Sequence, residues 1–323
     1  MSLTSIQPIC AFDVDSDGHA KPITDQEYDL APDEQSSYRW IHLDLNDPKI
    51  KVWAAEKLPE IAASALLQSE TRPRCDALGD GMILNLRGVN LNPEASPEDM
   101  VSLRLWVTPN CIISARLRKV WAIDTIRQGA LSGKAPVTVG AFMAELTHGL
   151  SKRIEGVSLE LEDNTDDLEE MALGGHKIQP ETVAVLRQTV IKMRRFLNPQ
   201  REALDALANW NGALIEETAL VLIRETCNRS RRSVEALDAT RERLSVIQDH
   251  IDADRAQALT RNGYLLSVVA AIFLPLGFLT GLFGVNVGGM PGVEAPNAFW
   301  TLTVASAVTG ILLYLVFKFS KWL

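Results

Sequence analysis

Two short groupings in this sequence, and its histidines, have residue types suited to metal chemistry, and each can be tested against the spacing that chemistry needs. Asp13-Val-Asp15-Ser-Asp17-Gly18 matches the start of a calcium loop, in which alternate carboxylates turn toward one ion. The far end does not match: Thr24 stands where a bidentate Glu belongs, Pro22 interrupts the loop, and strand-like runs flank it. A hairpin turn at Asp17-Gly18 is the expected structure. His42-Leu-Asp44 would set two ligand types on one face of a strand, but two ligands do not make a site. The histidines, His19, His42, His148, His176 and His250, show no H-E-x-x-H or related metal spacing. No Walker loop, nucleotide fingerprint or nucleophile elbow occurs, so neither an ATP-driven nor an enzymatic function has residues to rest on, and no cofactor is expected.

A third grouping lies in an apolar stretch near the end of the chain. Counting back from Gly281 at helical spacing gives Gly277, Leu274, Ala270, Ser267, Gly263 and Thr260, a stripe of mostly small or weakly polar residues. Two readings stand: a close seam between packed helices, or the wall of a narrow water-filled path. The stretch closes in Gly281-Leu282-Phe283-Gly284-Val285-Asn286. There Gly284 is free to take the left-handed conformation of a helix cap. Unpaired carbonyls at such an end carry partial negative charge, and the Asn286 amide oxygen can accept a hydrogen bond from a metal's bound water. Several such ends around an axis would form a cation-attracting mouth of uncharged oxygens.

The elements that must position these residues are two membrane spans. Tyr264 to Phe283 and Ala298 to Phe317 each run about twenty residues without a charge, enough to cross roughly 30 Å of hydrocarbon as helices. Arg255 and Arg261 precede the first and Lys318 and Lys321 follow the second, whereas the loop 284–297 has Glu294 as its single charge. Both termini are therefore expected in the cytoplasm, with the loop outside. The start, MSLTSIQPIC, lacks the basic and apolar regions of a signal peptide. Cys10, Cys75, Cys111 and Cys227 are scattered, as suits reduced thiols of a cytoplasmic domain. Two helices per chain cannot enclose a path, so transport requires a symmetric oligomer.

Before the spans, β-rich runs begin at Tyr38, Met82, Leu103 and Cys111, with a helix expected from Pro48 to Gln68. From about Val137 long helices take over, Phe142 to Leu173 and Ile178 to Asn209, separated by Gly174-Gly175-His176. A third runs from about Leu214 through Phe283, roughly 70 residues or about 100 Å if continuous. The fold class is thus an α/β cytoplasmic domain (1–136), a long-helix stalk (137–263) and a two-helix transmembrane domain (264–323). A net charge of −9 argues against nucleic-acid binding. The acidic stretch Glu155 to Glu170 reads first as a solvated helix face, and second as a means of concentrating cations.

Ile272 to Asn286 (IFLPLGFLTGLFGVN), followed by GGMPG and a terminal SKWL, resembles the CorA superfamily of two-span metal-ion transporters. Its Gly-Met-Asn signature is matched by Gly284, Val285 and Asn286, with Val285 as the departure. Met290-Pro291 is followed by Gly292-Val293 where magnesium-transporting members tend to have Glu-Leu. Both differences resemble the ZntB branch. The resemblance implies a homopentameric funnel in the bacterial inner membrane, with the first span lining the pore and the second outside it. It also implies proton-coupled uptake of Zn2+, with Cd2+, Ni2+ and Co2+ as further cargo. Alternatives are a magnesium or broad divalent-cation channel of the same fold, or a membrane-tethered sensor or scaffold. The expected lining offers zinc no His, Cys or carboxylate, so the metal ligands stay open, with Asp249 and Asp252 below the membrane as candidates.

Overall fold

The computed structural model describes residues 6–24, 28–285, 292 and 295–319. It divides into two compact units, Met1–Gln248 and Asp249–Leu323.

The first unit is built on one seven-stranded sheet in the order β2-β1-β3-β7-β6-β5-β4. β1 (Cys10–Val14) and β2 (Ala20–Pro22) form an antiparallel hairpin whose turn has Gly18 at φ 84°, the left-handed backbone that glycine adopts freely. β3 (Tyr38–Asp44) and β7 (Cys111–Arg116) pair in parallel at the centre and are buried along almost their whole length. That burial on both faces explains their continuous apolar character. β4 (Arg74–Leu78), β5 (Gly81–Gly88) and β6 (Val101–Thr108) complete the sheet as an antiparallel set.

One face of the sheet, with Trp40, Met82, Leu84, Leu103 and Leu105, shares a core with α3 (Trp121–Leu131), α4 (Val139–Leu173), α5 (Pro180–Ala208) and the start of α6 (Glu217–Gly284). The other face, with Ile41, Ile83, Trp106 and Ile113, packs on α1 (Lys49–Lys57) and α2 (Glu60–Leu67). The single helix expected from Pro48 to Gln68 is therefore two. Pro59 forces Leu58 into an extended conformation, φ −109° and ψ 152°, and breaks the run.

Two devices fix where the long helices begin. Thr138 Oγ1 accepts the Ala141 amide at 2.9 Å as the N-cap of α4, and donates to Glu216 Oε1 at 2.6 Å beside the start of α6. The acidic run on α4 is also more than a solvated face. Glu155 pairs with Arg229 at 3.2 Å, and Asp166 and Glu169 both hold Arg243, so α4 and α6 are cross-linked by charge.

The second unit consists of the rest of α6 and α7 (Ala298–Phe319). α6 is continuous for 68 residues and passes through Pro275 without ending.

Candidate functional site

The apolar stretches of α6 and α7 are left bare by the protein itself: 6 % of one and none of the other is buried. A core helix of a soluble domain with this composition would be wrapped by its neighbours, whereas Phe273, Phe278, Phe299 and Phe319 are largely exposed. Several span hydroxyls follow the rule that hydrocarbon imposes, that polar groups be satisfied within the helix, while Ser306 Oγ on α7 has no partner among the described residues. Ser267 donates to the Gly263 carbonyl at 3.0 Å, Thr280 to Leu276 at 3.0 Å, and Thr303 and Thr309 to Phe299 and Ala305 at 2.8 Å.

The stripe occupies one defined side of α6. Val268 is buried and Ile272, Leu276 and Leu279 are half-buried, marking a single helical face. α7 approaches this face closely: a Cβ placed on Gly310 would lie 3.7 Å from Leu276 Cδ1. Thr260, Gly263, Ser267, Leu274, Gly277 and Gly281 are exposed and Ala270 half-buried, on the side roughly opposite. A Cβ on Gly263, Gly277 or Gly281 would meet nothing within 4 Å. These glycines therefore serve no seam with the chain's own second span. Of the two readings, contact with further copies and the wall of a path remain.

Below Thr260 the same spacing continues through Ala256 to Asp252 and Asp249, both exposed, which puts two carboxylates on the stripe's side of the helix. Ala256 was legible from the same four-residue step and simply lies below the span. Nearby, His250 Nε2 stands 3.6 Å from Asp254. At the other end, Gly284 is the last helical residue and is not left-handed, so the expected cap conformation is not adopted there. Val285 is exposed. Asn286, Met290, Pro291 and Glu294 lie outside the described residues.

The other groupings resolve as structure. Asp15, Asp17 and His19 offer ligand atoms within 4.8 Å of one another at the β1–β2 turn. Asp15 Oδ1, however, accepts the amides of Asp17 and His19, both at 2.9 Å, which is what locks that turn. These bonds hold the Asp15 pKa below its usual range. His42 is buried, with Nδ1 2.8 Å from Ser114 Oγ and Nε2 accepting from Arg116 Nε at 3.2 Å. Burial, helped by the Arg116 charge, lowers its pKa to about 3, so it is a neutral core imidazole. Asp44 caps its own turn through the Asn46 amide.

Comparison with known proteins bears on the family and the fold. Residues 35–318 match the family described as CorA-like Mg2+ transporter protein. The divalent cation transporter CmaX of Pseudomonas aeruginosa is 35 % identical over 300 residues, covering 91 % of this chain and 90 % of that protein. The zinc transport protein ZntB of Pectobacterium carotovorum is 35 % identical over 318 residues, covering 97 % of this chain and 95 % of that one. Among solved structures, full-length CmaX superposes with a TM-score of 0.83 at 32 % identity, with each chain covered completely. The CorA magnesium transporter of Methanocaldococcus jannaschii superposes with a TM-score of 0.80 at 17 % identity, covering 98 % of this chain and 100 % of that one, a likeness of fold.

Proposed function

From the premise that the chain belongs to the CorA family of metal-ion transporters, we propose that it carries divalent cations, Zn2+ first among them, along the small-residue side of α6. The observation that carries this reading is the open side of the stripe: α7 covers the opposite face of α6, and Gly263, Gly277 and Gly281 are free to border a lumen. One such wall does not enclose a path. A ring of copies does, and the CorA resemblance supports five, with α6 inside and α7 outside.

In this arrangement 1–136 and 137–263 form the cytoplasmic domain and stalk, and 264–323 the transmembrane domain. The termini lie in the cytoplasm, because Arg255, Arg261, Lys318 and Lys321 flank the spans on that side. Rings of Asp249 and Asp252 gather cations below the membrane. Gly284, Val285 and Asn286, with Glu294 nearby, form the outer mouth. The wall between offers hydroxyls and small side chains but no zinc-preferring ligand, so the ion passes largely hydrated and is not held tightly. Cd2+, Ni2+ and Co2+ fit the same lining. Neither span contains a carboxylate or histidine, the usual proton relay. Proton coupling therefore draws on Glu294, on Asp249 and Asp252, or on the metal's hydration shell.

The test is metal flux into liposomes containing the purified protein, with Zn2+ or Mg2+ under opposite pH gradients. Zinc uptake stimulated by an inward proton gradient is expected. Magnesium flux well above zinc would favour the magnesium alternative, gradient-independent zinc flux would remove the coupling, and no flux of either ion would leave the two spans as a tether.

A further inference from the structure

The α1–α2 side of the sheet carries a file of polar residues that the ion path does not use. Arg74 on β4, Asn85 on β5 and Arg104 on β6 are successive cross-strand partners, and Arg87, two residues along β5, shares their face. Beside them opens a cavity of about 610 Å3 walled by Ser69, Glu70, Arg72, Arg74, Arg87 and Arg195. Among the described residues, Arg74 is the one arginine of this group in an ion pair, with Asp76 at 3.4 Å.

The deeper donors are short of partners. Arg104 is 2 % exposed; its Nη2 reaches the Ser69 carbonyl on the cavity wall at 3.4 Å, and its Nε has no partner among the described residues. Asn85 is equally buried, and neither atom of its amide is bonded, although Arg104 lies directly across the ladder. Arg87 donates to the Met100 and Thr71 carbonyls at 2.7 and 2.9 Å and lies 4.0 Å over the Phe196 ring, yet its Nε is buried and unbonded. Burial, then the neighbouring charges of Arg104 and Arg195, lowers the Arg87 pKa, and burial alone lowers that of Arg104. A buried guanidinium without a counter-charge is a costly feature that an anion nearby would relieve; Arg87 lines the cavity itself, while Arg104 and Asn85 lie behind its wall and add positive charge and an unpaired amide there.

We propose that this cavity binds a phosphoryl oxyanion, either inorganic phosphate or the phosphate of a small ester. Several guanidinium forks converging on one space suit the paired oxygens of a tetrahedral oxyanion better than a spherical halide. The volume exceeds that of a free phosphate and leaves room for an ester substituent. Glu70 is the carboxylate that opposes binding.

The test uses the full-length, metal-free protein in detergent, titrated with inorganic phosphate, with AMP, and with chloride at matched ionic strength, followed by calorimetry and thermal melting. A saturable response to phosphate or AMP and none to chloride is expected. R72Q/R195Q changes two exposed side chains, so the unliganded melt should not move, while affinity falls about tenfold or more, the scale of a lost charge-assisted hydrogen bond. E70Q should tighten binding severalfold, a sign that a merely structural role would not produce. AMP binding more tightly than phosphate identifies an ester, and equal affinity identifies the free ion. The proposal is overturned by the absence of any saturable response, or by a response that chloride reproduces or R72Q/R195Q leaves unchanged, which means an adventitious ion only. It is also overturned if R72Q/R195Q dissociates the oligomer while phosphate does not bind, which assigns the cavity to a carboxylate of a neighbouring copy.

Discussion

The two units of this chain handle exposure and charge in opposite ways. In the first, Asp13 and Arg39 are buried as directly paired strand neighbours, joined by two hydrogen bonds of 2.7 Å, and both faces of the sheet are covered by helices of the same chain. In the second, the spans carry no charged side chain and their apolar faces meet almost nothing of the protein. The first unit completes its core within one copy, whereas the second leaves its apolar faces uncovered, and in the proposed arrangement lipid covers one side and further copies the other. Damage to the first should therefore appear as lost stability, and damage to the second as lost transport.

The sharpest way to break this contrast is to fill the stripe. Gly277→Leu or Gly281→Leu places a large side chain where the single copy has open space, so zinc flux should fall by about tenfold or more, the scale on which a steric block raises a barrier, with oligomer mass unchanged. Loss of the oligomer with no such block in the remaining assemblies would make the stripe a seam between copies. At the outer mouth, Asn286→Gly should be nearly inactive and still assembled, because glycine keeps the backbone freedom and removes the side-chain amide with its acceptor oxygen. Asn286→Asp should conduct poorly with altered ion preference, since a ring of charge binds too tightly to release. Wild-type flux from the glycine variant would remove Asn286 from the mechanism.

The converse holds in the first unit. Arg39→Ala strands the Asp13 carboxylate in the core and should cost about 3–5 kcal/mol in a denaturant melt, while flux per folded oligomer is unchanged. A further effect in this unit is a pH dependence. The His42 imidazole has an ordinary pKa of 6.5, and in the fold it stays neutral down to about 3, chiefly through burial. Between those values the unfolded chain holds the extra proton, so stability is complete above 6.5 and falls with decreasing pH. The slope is up to about 1.4 kcal/mol per pH unit. His42→Asn should flatten that part of the melting profile, and an unchanged slope would place its origin elsewhere.

What the sequence reveals follows the range of the physics involved. The spans and long helices were legible because an uncharged run or a 3.6-residue period is a local property. The strands at Tyr38, Met82, Leu103 and Cys111 were equally plain, as their apolar density is set by central positions in the sheet. β4, with the polar sequence RCDAL on an exposed edge, gave no such pattern. The pairing of Glu155 with Arg229 and of Glu169 with Arg243 joins residues far apart in the chain, and no local spacing announces it. The stripe was visible as a period, but that it faces away from α7 became clear only from the packing at Leu276 and Gly310.

The central claim, that ions pass along one side of α6, is tested most directly by comparing two cysteines placed two residues apart on that helix. Ser267 belongs to the stripe, and Val269 lies about 200° round the helix from it. The native thiols are poor competitors for a thiol reagent, since burial is the first cause that pushes Cys10, Cys75, Cys111 and Cys227 up to about 12. In liposomes, a charged, water-soluble thiol reagent should stop zinc flux through Ser267→Cys and leave Val269→Cys unaffected. Block at Val269→Cys with Ser267→Cys untouched, or equal behaviour of the two, would contradict a path on the stripe.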